Sequence, residues 1–251
     1  MISRTTPRAP LIILGMHRSG TSCLAGSLQQ AGLVLGDVHT ANPHNRKGNR
    51  EHPELMALHE ELLQASGGSW HQPPAQVHWT PEFSARRAAF CKRFSGVELW
   101  GFKDPRALLA LDGWLQACPG ARMVGSIRHP LAVADSLYRR DPHLCAREDY
   151  LALWAAYNRR LLAYWQRYRF PIVDFDLDDA AYQASLERTL TRLGLRQGWW
   201  QRLRRGGPAA LWRNDGLFFD PALRSQRRQG SDGLPAEIAE LYRQLKQVAA
   251  R

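Results

Sequence analysis

The sequence contains little cysteine, little lysine and no long apolar segment. Its cysteines are Cys23, Cys91, Cys118 and Cys145, which lack the paired C-x-x-C spacing of a zinc site and the density of a disulfide framework. The basic residues at the start precede an apolar run of only four residues, too short for a signal-peptide core or a membrane span. We therefore expect a soluble, cytoplasmic protein without a metal site.

The scarcity of lysine means that arginine supplies most of the positive charge. The formal net charge is +11, and the only lysines are Lys47, Lys92, Lys103 and Lys246. Such a charge favours an anionic ligand, or a polyanion such as nucleic acid or a sulfated glycan, although an arginine-rich composition alone could also produce it. A chain of 251 residues that is 44% hydrophobic is long enough for one well-buried core, which predicts a single domain over residues 1–251.

Predicted strands and helices alternate along the chain. Apolar segments predict strands at Leu11–Leu14, Glu98–Lys103, Ala121–Ile127 and Pro171–Phe175. Helical spacing and end signals predict helices at Thr21–Gln30, Pro53–Gln64, Pro81–Phe94, Leu108–Ala117, Pro130–Arg139, Arg147–Tyr168 and Pro235–Ala249. This order predicts an α/β fold, with a P-loop-like parallel sheet flanked by helices on both faces, over about residues 11–175. Residues 176–251 should be mainly helical.

The first predicted strand runs into a loop bounded by glycines. Gly15 and Gly20 are separated by four residues, and a helix that begins with hydroxyl residues follows. This spacing matches a P-loop, in which backbone N–H groups and the helix dipole hold a phosphate. The Walker lysine is missing because Thr21 occupies its place, and the loop carries its cation as Arg18 instead. The sequence therefore predicts a phosphate-bearing donor other than ATP.

A second segment carries the side chains of an anion site. Arg128 ends the third predicted strand, and Ser136 follows eight residues later, inside the next helix. Arginine offers a fork of hydrogen-bond donors that suits phosphate, and serine adds a hydroxyl. We therefore predict that the two side chains hold a second phosphate.

Together these segments resemble the sulfotransferase family, specifically its bacterial branch related to carbohydrate sulfotransferases. The family's loop for the 5′-phosphosulfate has a basic residue, serine or glycine, glycine, threonine and a further hydroxyl, matched here by Arg18, Ser19, Gly20, Thr21 and Ser22. Its motif for the 3′-phosphate is matched by Arg128, Pro130 and Ser136. The resemblance also includes Gly101–Arg106 and covers the chain from about Leu11 to Tyr138.

The resemblance implies a donor, a reaction and the roles of two cations. The donor would be 3′-phosphoadenosine 5′-phosphosulfate, whose sulfuryl group moves to a hydroxyl of a small molecule or glycan, in this branch a saccharide or glycolipid. Arg18 and the loop amides would hold the 5′-phosphate, and Lys103 would approach the oxygen that bridges phosphorus and sulfur. Positioned cations can stabilise that leaving oxygen without magnesium. The alternative for Lys103 is a solvated lysine beside Asp104.

The acceptor must lose a proton, and a carboxylate is the first candidate for the base. Glu51 lies in the loop before the second helix, where carbohydrate-type relatives have their catalytic glutamate. Two other interpretations stay open, because Glu51 could cap the helix that starts at Pro53 or pair with Arg50.

Two further residues are candidates for the base. Asp104 follows the strand-end lysine, although it could equally hold its turn through a contact with Arg106. His52 is a reserve candidate. Relatives that act on phenols and steroids have a histidine at the position of Pro105, so the phenol class is disfavoured. His17 replaces the usual proline of the loop.

Two rival functions stay open on the sequence. A P-loop kinase would need a lysine where Thr21 stands and a carboxylate for magnesium. The evidence for a non-catalytic polyanion-binding protein is the net charge alone, and we expect no specific nucleic-acid partner.

Three tryptophans could stack on a sugar but are also typical of packing, namely Trp70, Trp79 and Trp100. Three arginines near the end could fold over a nucleotide or simply be solvated, namely Arg224, Arg227 and Arg228.

Overall fold

Four parallel strands form the centre of the molecule, as predicted. The computed structural model describes residues 8–41, 47–195, 219, 220, 230 and 232–251. Its strands are β1 (Leu11–Leu14), β2 (Gly101–Lys103), β3 (Arg122–Ile127) and β4 (Ile172–Asp174), in the sheet order β2-β1-β3-β4. Every pairing is parallel. The central position of β1 places the loop that follows it between the ends of β2 and β3.

Helices lie along the chain between and after these strands. They are α1 (Thr21–Gln30), α2 (Pro53–Ala65), α3 (Pro81–Lys92), α4 (Leu111–Ala117), α5 (Pro130–Arg140), α6 (Arg147–Tyr168), α7 (Asp179–Arg192) and α8 (Ala236–Ala249). In the described part of the chain, none of them combines the length and the apolar composition that crossing a bilayer requires.

The helices cover both faces of the sheet because its strands are apolar on both sides. In β1, Ile12 and Leu14 join one buried cluster, whereas Leu11 and Ile13 join another. Side chains alternate between the faces of a strand, so these clusters lie on opposite sides of the sheet. The first cluster includes residues of α2, α5, α6 and α8, and the second includes residues of α1 and α7.

The segment after β2 departs from the prediction. A single helix was expected over Leu108–Ala117, but a 3₁₀ turn spans Pro105–Leu108 before α4 begins. Asp104 caps that turn by accepting a hydrogen bond from the backbone N–H of Arg106. The predicted strand is also shorter than Glu98–Lys103, because its regular pairing begins at Gly101.

The C-terminal helix α8 packs beside the sheet. Ile238, Leu241, Tyr242 and Leu245 of this helix are buried in the first cluster. Near its end, Lys246 contacts the carboxylate of Asp174 at the end of β4. Because the strands are parallel, the carboxyl ends of all four open onto one edge of the sheet, where parallel sheets bind their ligands.

Candidate functional site

The loop after β1 has the backbone of a tight phosphate-binding turn. Gly15, Arg18 and Gly20 all have positive φ angles, of 143°, 64° and 84°. A Cβ atom at Gly20 would lie 2.3 Å from the ring of Phe175, and one at Gly15 would lie 2.5 Å from the carbonyl oxygen of Ser126. Glycine is therefore required at both ends, because the loop is pressed against the ends of β3 and β4.

The start of α1 is open to an anion. Gly20 is the N-cap and provides no side-chain hydrogen bond, and the first turn of the helix contains no acidic residue. The positive end of the helix is therefore not neutralised by a side-chain cap or a first-turn carboxylate. The hydroxyl groups in this turn differ in role, since Ser22 donates to the carbonyl oxygen of Asn49 at 3.1 Å while Ser19 and Thr21 are buried.

The two predicted anion sites meet at Arg18. Its Nε donates to the Oγ of Ser136 at 2.8 Å, although the two residues are 118 positions apart. In return, Nη1 of Arg128 donates to the carbonyl oxygen of Arg18 at 3.1 Å. The structure thus brings together three residues that the sequence assigned to separate phosphates.

Positive charge is concentrated around this loop. Burial, followed by the nearby charges of Arg140, Arg128 and Arg139, lowers the pKa of Arg18 to about 10. Sequence reasoning did not assign Arg139 and Arg140 to the site. Their spacing could have identified them as site residues, because residues three and four positions after Ser136 lie on the same side of a helix as Ser136. An anion bound here would relieve repulsion among these guanidinium groups.

A buried carboxylate borders the second anion site. Asp176, just after β4, accepts a hydrogen bond from the backbone N–H of His129 at 2.5 Å, and its other oxygen lies 3.8 Å from Nε of Arg128. Burial raises the pKa of Asp176 to about 6. The sequence analysis missed this residue, whose signal was a carboxylate directly after a strand end.

Glu51 and Lys103 lie side by side, although 52 positions separate them. The ammonium group of Lys103 contacts Oε1 of Glu51, and both side chains are buried. The second oxygen of Glu51 lies 3.9 Å from Nη1 of Arg106. Lys103 is therefore not a solvated lysine. The N-cap of α2 is His52 rather than Glu51, and Arg50 contacts Gln29.

Asp104 connects the turn after β2 to the core. One of its oxygens accepts from the backbone N–H and from Nη1 of Arg106, both at 3.0 Å, and the other is 3.0 Å from Nδ1 of His59. Trp114 donates to Nε2 of His59, so Nδ1 carries the proton and donates to Asp104. The possible contact with Arg106 is thus present, and the carboxylate is fully buried.

The charges of this turn stabilise one another. Burial alone would raise the pKa of Asp104, but Arg106 and His59 bring it below its ordinary value. Burial alone would lower the pKa of Arg106, but Asp104, Glu51 and Glu60 raise it above its ordinary value. Asp104 therefore stays ionised, and both of its carboxylate oxygens have hydrogen-bond partners. This arrangement suits a structural role better than proton transfer.

Two histidines lie close to the site in sequence. His52 follows Glu51, is buried edge-on against Phe90, and has a lowered pKa, chiefly because of burial. His17 precedes Arg18, is 9% exposed, and packs against Trp70 with 4.6 Å between ring centroids. Neither residue belongs to a metal-ligand cluster, and no such cluster of His, Cys, Asp or Glu occurs among the described residues.

The remaining sequence candidates have separate locations. Trp100 is buried and stacks on Phe94 at 4.3 Å, and Trp79 is a partly buried core residue that donates to the carbonyl oxygen of Ala110. Trp70 is the one of the three tryptophans that contacts the loop, through His17. The three C-terminal arginines proposed from the sequence lie outside the described residues, namely Arg224, Arg227 and Arg228.

A family profile and two solved structures are similar to this chain. The profile of the sulfotransferase family matches residues 10–199. The sulfotransferase domain of the Synechococcus PCC 7002 olefin synthase is similar with a TM-score of 0.54 and 21% identity, over 99% of this chain and 97% of that one. A sulfotransferase from Mycobacterium tuberculosis H37Rv gives a TM-score of 0.40 and 17% identity over 77% of this chain and 71% of that one. The comparison with curated proteins gave no match.

Proposed function

The chain belongs to the sulfotransferase family, and on this basis we propose that it transfers the sulfuryl group of 3′-phosphoadenosine 5′-phosphosulfate to a hydroxyl group of a saccharide or glycolipid. One domain over residues 1–251 would carry the activity, in a cytoplasmic compartment whose reducing conditions suit the four free thiols. The donor would need no metal ion, because the protein supplies its own cations.

The observation that carries this proposal is that Arg18 contacts both Ser136 and Arg128. The phosphosulfate end of the donor would bind to the loop amides, Arg18 and the start of α1, with Ser19, Thr21 and Ser22 lining that turn. Arg128 and Ser136 would hold the 3′-phosphate. The low pKa of Arg18 supports an anionic occupant, because added negative charge stabilises the buried guanidinium.

We propose that Lys103 acts on the leaving group. In the transfer, the acceptor oxygen forms a bond to sulfur, the bond between sulfur and the bridging oxygen breaks, and its electron pair stays on the 5′-phosphate. The ammonium group of Lys103 would stabilise that developing charge. To do so it must exchange its contact with Glu51 for the bridging oxygen.

The same exchange would prepare Glu51 as the base. A carboxylate in contact with an ammonium group is a weak base, because the cation stabilises the ionised form. Once Lys103 moves to the donor, Glu51 retains only the more distant Arg106, at 3.9 Å. Its carboxylate would then accept the proton of the acceptor hydroxyl, so donor binding and base activation are coupled.

A comparison of nucleotides tests the donor. We expect 3′-phosphoadenosine 5′-phosphate to raise the melting temperature without magnesium, whereas ATP with magnesium should have little effect. Stabilisation by ATP with magnesium alone would favour the kinase alternative, against which Thr21 argues. Transfer of label from the donor to a panel of glycans and glycolipids then tests the reaction. If no member of the panel becomes labelled, the proposed acceptor class is contradicted.

A further inference from the structure

His17 has a buried nitrogen that lacks a partner. The residue stands in the phosphate loop and is nine-tenths buried, yet its Nε2 makes no hydrogen bond within the described residues. The backbone of the same loop is hydrogen-bonded, since Ser126 donates to the carbonyl oxygen of Ser19 at 2.6 Å. A buried polar group without a partner costs about 1–3 kcal/mol. A partner that arrives with a ligand would remove this cost.

Aromatic residues fix the direction of the imidazole ring. Its centroid lies 4.6 Å from that of Trp70 at an interplanar angle of 48°, and 6.1 Å from that of Tyr157, which meets it edge-on. The hydroxyl group of Tyr157 donates to the carbonyl oxygen of Trp70 at 2.9 Å, which ties the two aromatic residues together. The position of Nε2 is therefore determined before any ligand binds.

The charges around His17 are those of the proposed transfer site. Lys103, Asp104 and Arg106 act on the ring from the end of β2 and the turn after it, and Arg140 acts from α5. Arg18, the next residue, hydrogen-bonds to Ser136 instead. The two adjacent loop residues have different neighbours. Arg18 lies among the phosphate-binding groups, and His17 follows β1, in which Ile13 pairs with Lys103 of β2.

The ring is uncharged at neutral pH. Burial is the largest cause, and Arg106, Arg140 and Lys103 add to it, so the pKa of His17 lies well below 6.5 despite the opposing effect of Asp104. A neutral imidazole forms a hydrogen bond to a hydroxyl group without needing a counter-ion. A hydroxyl group can therefore be the partner of Nε2 without any change in the charge of the ring.

We propose that His17 binds the acceptor hydroxyl through Nε2. This inference rests on the proposed sulfotransferase function. In the tautomer with a proton on Nε2, the ring donates to one lone pair of the hydroxyl oxygen. The other lone pair attacks sulfur, and the hydroxyl proton passes to Glu51. His17 keeps its own proton throughout, so it orients the nucleophile while Glu51 acts as the base.

Three substitutions separate the contribution of the proposed hydrogen bond from that of the aromatic ring. His17→Gln places an amide N–H at a similar distance from the backbone, His17→Asn has the amide on a shorter side chain, and His17→Phe keeps a ring without the hydrogen bond. Wild type is first assayed with labelled donor to identify an acceptor from the glycan panel. The KM of that acceptor, kcat and the Kd of 3′-phosphoadenosine 5′-phosphate are then measured for each variant.

We expect His17→Phe and His17→Asn to raise the acceptor KM roughly tenfold to a hundredfold, as the loss of one buried hydrogen bond predicts. His17→Gln should stay within about fivefold of wild type on the same argument, and the nucleotide Kd should change less than about twofold in all three. If His17→Phe does not fold, the comparison of glutamine with asparagine gives the answer.

The outcomes distinguish this inference from the function on which it rests. A wild-type protein that neither binds the nucleotide nor transfers label contradicts the proposed function itself. A transferring wild type with an unchanged KM in His17→Phe and His17→Asn overturns the inference alone. It is also overturned if the variants lose nucleotide affinity in proportion, or if His17→Gln is as inactive as His17→Phe and the acid limb of the pH profile disappears, which would make His17 the base.

Discussion

At Arg18, burial and neighbouring positive charges both disfavour the charged form of the guanidinium group. It keeps its charge at neutral pH, but burial and three neighbouring arginines lower its pKa to about 10. Its hydrogen bond to Ser136 directs the guanidinium toward α5. A site with this concentration of positive charge is suited to a ligand that carries several negative charges.

Arg128 should distinguish the two ends of the donor. We expect Arg128→Ala to weaken 3′-phosphoadenosine 5′-phosphate roughly 30-fold to 100-fold, because a charge-assisted contact to phosphate is lost. Adenosine 5′-phosphate should change less than about threefold, since it lacks the 3′-phosphate. Calorimetric titration of both nucleotides measures the difference. Equal losses would contradict the assignment and would indicate that Arg128 acts through its contact with the carbonyl oxygen of Arg18.

Glu51 should affect transfer more than donor binding. We expect Glu51→Gln to keep the nucleotide Kd within about threefold of wild type and to reduce transfer roughly 10²-fold to 10⁴-fold, the range for loss of a general base. Glu61→Gln is the control, because Glu61 is an exposed carboxylate of α2 that pairs with Arg86. Unchanged turnover in Glu51→Gln would exclude Glu51 as the base.

Asp176 should make stability depend on pH between about 4 and 6. Its pKa is raised to about 6 in the folded protein, above its ordinary value, so the folded state holds this proton more tightly. The stabilisation is complete below the unfolded pKa and is lost as the pH rises through 6. A shift of this size corresponds to at most about 3 kcal/mol.

The variant Asp176→Asn removes this titration and keeps an oxygen that can accept from His129. We expect the melting temperature of wild type relative to the variant to fall as the pH rises from 4 to 6.5. Taking the difference cancels the titration of the other carboxylates. A difference that is constant over this range would show that Asp176 titrates normally.

Among the elements, the phosphate loop depends most on backbone shape. Gly20 and Gly67 have similar positive φ angles, of 84° and 78°, but a Cβ atom would touch Phe175 at Gly20 and nothing within 4 Å at Gly67. The two positions therefore separate the cost of the left-handed backbone from the cost of the contact. The turn of residues 103–106 is the second constrained element, since Asp104 links it to both Arg106 and His59.

Gly67→Ala should destabilise the protein by about 1 kcal/mol, the cost of placing a side chain on a left-handed backbone. Gly20→Ala should cost a further 1–3 kcal/mol or so, because the new methyl group displaces Phe175, and it should weaken nucleotide binding by moving the loop. Urea unfolding and nucleotide titration of both variants test this. Similar losses of stability would mean that the packing of the loop against Phe175 is unimportant.

For the whole molecule, the net charge of +11 leaves the polyanion-binding alternative to be tested. We expect duplex DNA to bind only in the non-specific range, with a Kd of roughly 10⁻⁴–10⁻⁶ M at physiological salt, and affinity to fall steeply as salt is added. Ser136→Ala should leave DNA binding unchanged and weaken the bisphosphate nucleotide. DNA binding that resists salt and is lost in Ser136→Ala would instead favour a polyanion site.

Local sequence was enough to predict most of the elements. The bounds of α1 and α6 are those predicted, because helix-end signals and periodic apolar residues act within a few positions of one another. The parallel sheet followed from the alternation of strands and helices. The predicted helix over Leu108–Ala117 was partly wrong, since the capping of a 3₁₀ turn by Asp104 depends on a side chain that His59 also holds.

The sequence by itself determined the strand-loop-helix motif around Gly15 and Gly20 and the family it belongs to, because that motif is a run of neighbouring residues. Only the tertiary structure decided which side chains meet. The contacts of Arg18 with Ser136 and of Lys103 with Glu51 join positions 118 and 52 residues apart. Such contacts arise from the order of strands in the sheet and the packing of helices on it, which no local pattern specifies.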